Sequence, residues 1–385
     1  QRLGDKALGA TALEVASTLE PGDIKRHEQL AELYLQAGPD QIDKAIREHQ
    51  LLVAANPDRL GAYRALGRLY QEAGQVDKRW CVAATLSFLR KADPETEQFY
   101  EAHRPPELRP AQRAFSDELW PRIVHRDEDP FVAAIFMLVG HFVAATTAQQ
   151  HQAVGIKRKD RADVGRDDRP ALRVLRYVSE TLGLPAPDLF FTDAEAHGLS
   201  MLNLQEKGVL TPALLIGQDF AARSSEADLV FEVGKRLAFL RPERFLRSAL
   251  PSPSALDVTL RAAMALAGAP IGNGAHNGEV DRLADHLRRL VPRPTAEQLA
   301  MVGRKLLAAR GEVIDAESWM AAADMTAARV GFVLAGDVGL AARMTATEPP
   351  GASPLPAKQR LRDLLAYSVS EDYFAVRKFL GLEVM

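Results

Sequence analysis

The chain has 385 residues, with 48 lysines and arginines against 51 acids and a formal net charge of -3. So small a charge gives no bulk attraction to nucleic acid or acidic membranes, while the length allows two domains that each bury a real core. A single cysteine, Cys81, excludes an internal disulfide and a cysteine-based metal site.

Alanine, leucine and arginine, all good helix formers, dominate a chain that is 47% apolar but only 6% aromatic. A mainly helical protein is expected. The sequence opens at Gln1 in mid-pattern and shows no signal peptide. This reads as a trimmed start and a cytoplasmic protein, although a cysteine-poor periplasmic one would look the same.

A degenerate repeat unit is read near residues 5–20, ahead of two clearer ones. Residues 26–60 and 60–96 then resemble each other: LAELYLQAG (Leu30 to Gly38) answers LGRLYQEAG (Leu66 to Gly74), so the Leu-Tyr pair recurs after 36 residues. Gly38 and Gly74 stand where a first helix needs a left-handed stop. Pro57 and Pro94 stand where the next helix can begin. This pattern resembles tetratricopeptide repeats, whose period is about 34 residues, with a short insertion at Pro39-Asp40. The resemblance implies stacked helix pairs that offer a surface to a peptide or helix, with Tyr34, Tyr63 and Tyr70 as candidate contacts. About three such units are normally needed for stability. Two are clear, so either more repeats preceded Gln1 or the stack leans on the second domain.

Three prolines in RPPELRP (Arg104 to Pro110) end the array. The first domain is therefore placed at 1–104 and the second at 111–385. Helical patterns cover about 111–126 and 130–150. The latter contains Phe131 to Ala148, 18 residues without a formal charge. It is read as a buried core helix rather than a membrane span, because it carries His141 and ends in alanine and threonine; His141 is read as a satisfied core histidine. The stretch IKRKDRADVGRDDRP (Ile156 to Pro170) balances bases with acids and reads as a solvated loop.

A helix at about 171–182 leads to three short apolar runs, Leu189 to Thr192, Leu199 to Leu204 and Ala213 to Ile216, read as a small sheet at about 188–217. His197, at a strand entrance, is read as a turn histidine. From Ser225 onward the pattern is helical at about 225–240, 242–249, 254–267, 277–290, 295–309, 316–335, 338–345, 357–367 and 370–380. Ser225 is a plausible N-cap with Asp228 as its capping partner. Leu229, Val233, Leu237 and Leu240 form the apolar stripe behind it.

The decapeptide VFEVGKRLAF (Val230 to Phe239) would contain HEVGH if Phe231 and Lys235 were histidines. Such a pair, one helical turn apart, holds zinc in metalloproteases, and the glutamate between them activates water. Residues Pro212 to Glu243, with the strand, turn and helix order ahead of them, resemble the zinc metallopeptidases of the heat-shock and CAAX-prenyl type. MAAAD (Met320 to Asp324) is similar to that family's downstream E-x-x-x-D motif, whose glutamate is the third zinc ligand. The likeness covers roughly residues 170–345.

The departures remove the chemistry. Phe231 offers no donor atom, Met320 is too soft for catalytic zinc, and Lys235 stays protonated unless strongly buried. Glu232 remains, and the plain reading is an acid paired with Lys235 or Arg236. Phe231, Glu232, Lys235, Met320 and Asp324 are thus vestigial positions, and no metal or cofactor is expected.

Other chemistry is thin. His276 and His286 flank Glu279, Asp281 and Asp285, which read as a solvated helix face. PIGNGAHNG (Pro270 to Gly278) lacks a lysine and does not come after a strand, so it is a loop and not a phosphate cradle. Cys81 beside Trp80 reads as a packed thiol. The bases form no stripe for nucleic acid.

The expected protein is mainly α, with helical repeats ahead of an α-rich, metallopeptidase-like domain carrying a small three-stranded sheet. The expected function is a non-catalytic scaffold or regulatory binder of a protein or peptide. Strand addition beside Ala213 and Leu215 would supply a second contact in the vestigial cleft. The alternatives are an active hydrolase with an unrecognised site and a structural subunit of a larger assembly.

Overall fold

A computed structural model of the chain describes residues 2–194, 198–269, 278–311, 314–349 and 351–385. Among these the fold is mainly α, with 18 α-helices and five short strands. The chain forms two units. One comprises residues 1–112, 336–346 and 357–385; the other comprises 113–335 and 347–356.

The first unit opens with α1 (Arg2–Leu19) and the pairs α2 (Ile24–Ala37) with α3 (Ile42–Ala55) and α4 (Leu60–Glu72) with α5 (Val76–Phe88), followed by α6 (Pro94–His103). Local chemistry sets the boundaries. Asp23 caps α2 by accepting from the Lys25 amide, and Gly38 stops it at φ +87°. Gly74 ends the next first helix at φ +66°, a region that costs glycine little. Pro94 is the first residue of α6, capped by Asp93. Pro57 behaves differently: α4 begins only at Leu60. The Asn56 side chain accepts from the Asp58 amide at 3.1 Å, and that turn occupies the residues a helix start would need.

The second unit begins without the helix expected at 111–126. Only a 3-10 turn, Trp120–Arg122, forms there. Pro121 interrupts the pattern, and the Phe115 amide is spent on the Thr181 carbonyl at 2.7 Å. The helices α7 (Pro130–Thr147) and α8 (Pro170–Leu182) come next, then the strands β1 (Asp188–Thr192), β2 (Leu199–Leu202), β3 (Gln205–Glu206), β4 (Val209–Leu210) and β5 (Ala213–Gly217). The sheet order is β1-β5-β2, with β1 parallel and β2 antiparallel to β5. A separate hairpin joins β3 to β4 through Lys207 and Gly208, both at positive φ, as a two-residue hairpin turn requires.

Beyond the sheet lie α9 (Gln218–Arg223), α10 (Glu226–Leu237), α11 (Phe245–Ala249), α12 (Pro253–Leu266), α13 (Gly278–Leu290), α14 (Arg293–Arg310) and α15 (Ala316–Ala335). Seventeen of the twenty residues of α15 are buried, so it is the unit's central helix, apolar almost all round.

The helix α7 is long and apolar enough to cross a membrane by length and composition, and 44% of that window is buried within the structure. Val132, Ile135, Phe136, Val139 and Val143 fill the core. His141 does not; it lies on the exposed face with Met137. The reading of His141 as a core histidine is corrected by this: four residues beyond Met137, it falls on the outward stripe.

The chain then returns to the first unit as α16 (Val338–Ala346), α17 (Ala357–Tyr367) and α18 (Glu371–Leu380). The domain boundary therefore differs from the expected 111–385. Two helix pairs leave an open apolar end, and the last helices close it. Phe374 meets the Tyr70 ring edge-on at 5.8 Å, and buried Ser368 and Thr85 share a 2.9 Å hydrogen bond.

Candidate functional site

The helix α10 starts as the sequence requires, with a reciprocal capping box between Ser225 and Asp228. Leu229, Val233 and Leu237 face the core, fully buried or nearly so. Its buried polar residues are engaged. Glu232 is buried and pairs with Arg236 at 3.2 Å. Lys235 turns instead to Glu348, in the segment beyond α16, and both partners are buried. Burial pushes the Lys235 ammonium below its ordinary value, and the Glu348 charge opposes that shift.

The five positions drawn from the metallopeptidase resemblance fall at different places. A Cβ on Gly331 would stand 2.5 Å from the Phe231 carbonyl oxygen and 3.0 Å from its ring, so Phe231 packs directly on Gly331. Met320 lies eleven residues earlier on α15, about 16 Å along the helix. It is buried among Ile135, Leu260 and Leu299. Asp324 is held bidentate by Arg247 at 2.7 and 3.1 Å. Arg247 in turn donates to the Ala352 carbonyl at 2.7 Å. Among the described residues no three His, Cys, Asp or Glu side chains are grouped to hold a metal ion.

The sheet corrects the strand-addition reading of Ala213 and Leu215. The strand β5 is central, paired along its length on both sides. Its backbone donors and acceptors are spent, and strand addition needs a free edge. Ala213 is fully buried, and Leu215 packs with Val154, Ile156 and Phe190.

The tyrosines of the repeats are corrected likewise. Tyr63 and Tyr70 have no exposed surface and Tyr34 has 5%. Tyr34 donates to Glu14, Tyr63 to the Leu365 carbonyl at 3.4 Å, and the Tyr70 hydroxyl accepts from Gln50 at 3.0 Å. They are pegs between helices. The Leu-Tyr recurrence marks the buried side of each first helix, so the surface lies on the other side.

That other side carries two openings in the first unit. One, of about 360 Å³, lies between α2, α3 and α4; Glu32, Leu35 and His49 line it. The second, of about 270 Å³, lies between α4, α5 and the start of α6; Arg64, Arg68 and Lys91 line it. His49 is 8% exposed, and neither ring nitrogen has a hydrogen-bond partner among the described residues. Burial, helped by the Arg68 charge, pushes its pKa down to about 4, so the ring is neutral. The 36-residue repeat signals these residues: Glu28 and Arg64 are equivalent, as are Glu32 and Arg68.

The second unit has a wider cleft of about 560 Å³, where Met137, Pro187, Leu210 and Phe245 provide apolar wall and His141 reaches the rim. Its charges are paired, Arg161 with Asp188 and Glu206 with Arg158. Cys81 is free and fully buried, with its thiol pushed up by burial. His197, His276 and the glycine-rich residues 270–277 lie outside the described residues.

Comparison of the chain with protein-family models, with curated proteins and with solved structures found no match in any of the three.

Proposed function

We propose that the protein is a non-catalytic binder whose helical repeat unit holds a segment of a partner protein. One observation carries this reading. The outward sides of α2 and α4 line two open grooves with exposed, charged side chains, while the aromatic residues of the same helices are locked inside. Stacked helix pairs commonly present such surfaces to peptides.

The second unit enters the reading as support rather than as a catalyst. Phe231 and Met320 bring no zinc-binding atoms, and Lys235, Glu232 and Asp324 are each taken up in ion pairs. On this reading a base so engaged, without zinc-ligating side chains beside it, does not serve a zinc-peptidase mechanism. The metallopeptidase likeness then carries no activity.

Selection of a displayed peptide library on the full chain tests the proposal. Enrichment that is lost in Leu35→Asp supports the groove as the binding surface. No enrichment, or enrichment indifferent to Leu35→Asp, overturns it. Peptide cleavage that a zinc chelator abolishes would overturn the non-catalytic half.

A further inference from the structure

The two grooves have opposite charge, and the change falls on equivalent positions. Glu28 and Glu32 sit one turn apart on α2; 36 residues later Arg64 and Arg68 sit one turn apart on α4. Both pairs line their groove. Like charges one turn apart weaken a helix by a few tenths of a kcal/mol, so helix stability does not account for Arg64 and Arg68.

Neighbouring charges leave part of each set uncommitted. Glu28 is taken by Arg59. Arg79 is held by Glu95 at 3.1 Å and lies over the Phe99 ring. Asp93 is spent capping α6. Glu32, Arg68 and Lys91 make no ion pair among the described residues, and Arg64 reaches only the Lys91 carbonyl, at 3.5 Å. The groove face therefore carries a free acid on one side and free bases on the other. His49 stands between them: it lines the cavity beside Glu32, feels the charge of Arg68, and keeps two buried nitrogens without protein partners among the described residues.

We propose that this face takes an extended protein segment of mixed charge, an acidic side chain held by Arg64 and Arg68 and a basic one turned toward Glu32. An extended segment covers about 10 Å in three residues. Guanidinium pairs hold carboxylates by charge-assisted hydrogen bonds. The sign change fixes the direction in which the segment lies. This inference rests on the repeat unit being the binding surface and adds the class of ligand.

The test is fluorescence anisotropy on the full chain with labelled peptides on one neutral host. One carries a lysine and, three residues on, a pair of acids; the others carry the reverse order, acids only, or bases only. A single-stranded oligonucleotide serves as a further probe. One mixed order is expected to bind about tenfold more tightly than the other. Arg64→Glu with Arg68→Glu should abolish that binding, and Glu32→Arg with Arg68→Glu should favour the reversed peptide. These residues are on the surface, and circular dichroism checks that each variant folds. The His49 imidazole, followed by NMR, should titrate at higher pH when the peptide is bound, because the bound carboxylate offsets Arg68.

Equal binding of both orders, equal binding of the acid-only peptide or the oligonucleotide, or indifference to the charge reversals overturns the inference. If library peptides bind in a Leu35-dependent way without the charge pattern, the repeat unit remains the binding surface and only the ligand class falls. If nothing binds, both fall.

Discussion

Arg377 and Asp77 form a buried ion pair that ties the last helix of the chain to the second repeat. Two hydrogen bonds of 2.6 and 3.0 Å join them, and Arg377 is 2% exposed. Asp77 also accepts from the Val384 amide at 2.9 Å, and Arg377 donates to the Leu382 carbonyl at 2.8 Å. The pair thus orders the chain end as well as α5 and α18. Breaking such a pair leaves an uncompensated buried charge. Asp77→Ala is expected to cost about 3–5 kcal/mol in chemical denaturation, and Asp77→Leu with Arg377→Met distinctly less. Equal losses for the two variants would contradict this assignment.

Gly331 is a point of contact, not a hinge. Its hydrogen faces the Phe231 carbonyl at a distance that leaves no room for a methyl group. Gly331→Ala should destabilise the second unit by about 1–3 kcal/mol or more, the cost of overpacking. Phe231→Ala should not rescue it, because the nearer clash is with backbone. Gly234→Ala meets mainly a movable Leu334 methyl at 3.1 Å and should cost less. Thermal melts of the three variants decide the order.

Lys235 gives the second unit a pH dependence of known sign. Its folded pKa lies below the ordinary 10.5 because burial disfavours the charge. Between the folded and ordinary values the unfolded chain holds more protons, so stability rises with pH across that window. Lys235→Met with Glu348→Gln, which leaves no unpaired carboxylate buried, should remove the rise. Denaturant titrations of wild type and variant between neutral pH and pH about 10.5 measure it; a wild-type profile that rises no more than the variant's contradicts the burial argument.

The positions matched to the zinc-peptidase motif lend themselves to a reconstruction. Phe231→His, Lys235→His and Met320→Glu together would restore the ligand types of a zinc peptidase. Since Phe231 packs at Gly331 and Met320 lies about three turns away along α15, the triple variant is expected not to bind stoichiometric zinc by metal analysis after dialysis. Tight binding with all three ligands would mean that the helices shift to share a point.

Cys81 should be inert. Its burial and raised pKa keep the thiolate scarce. Native protein is expected to resist iodoacetamide at neutral pH and to react fully once unfolded, as mass spectrometry would record.

Most helices were legible in the sequence because their signals are local. The capping box at Ser225, the stop at Gly38 and the 3.6-residue apolar period of α8 and α12 depend on residues a few positions apart. The failures were also local in cause: an interrupted apolar pattern suggested a helix at 111–126, and the two-residue strands β3 and β4 were too short to register.

The candidate site was legible only in part. The 36-residue repeat fixes which positions are equivalent, and therefore that Glu28 and Glu32 give way to Arg64 and Arg68. It does not tell which side of a helix faces a groove, because an amphipathic pattern names the buried stripe and leaves the rest of the circumference undivided. Tyr63 and Tyr70 looked available for the same reason, until neighbouring helices covered them.

By itself, then, the sequence determined the helices, the repeat and the short apolar strands, since backbone capping and side-chain periodicity act between near neighbours. Only the tertiary structure decided that β5 is central, that Lys235 meets Glu348 rather than Glu232, and that the last helices close the repeat unit. Those outcomes depend on which distant surfaces come together to remove apolar area and charge from water, and no spacing along the chain encodes that choice directly.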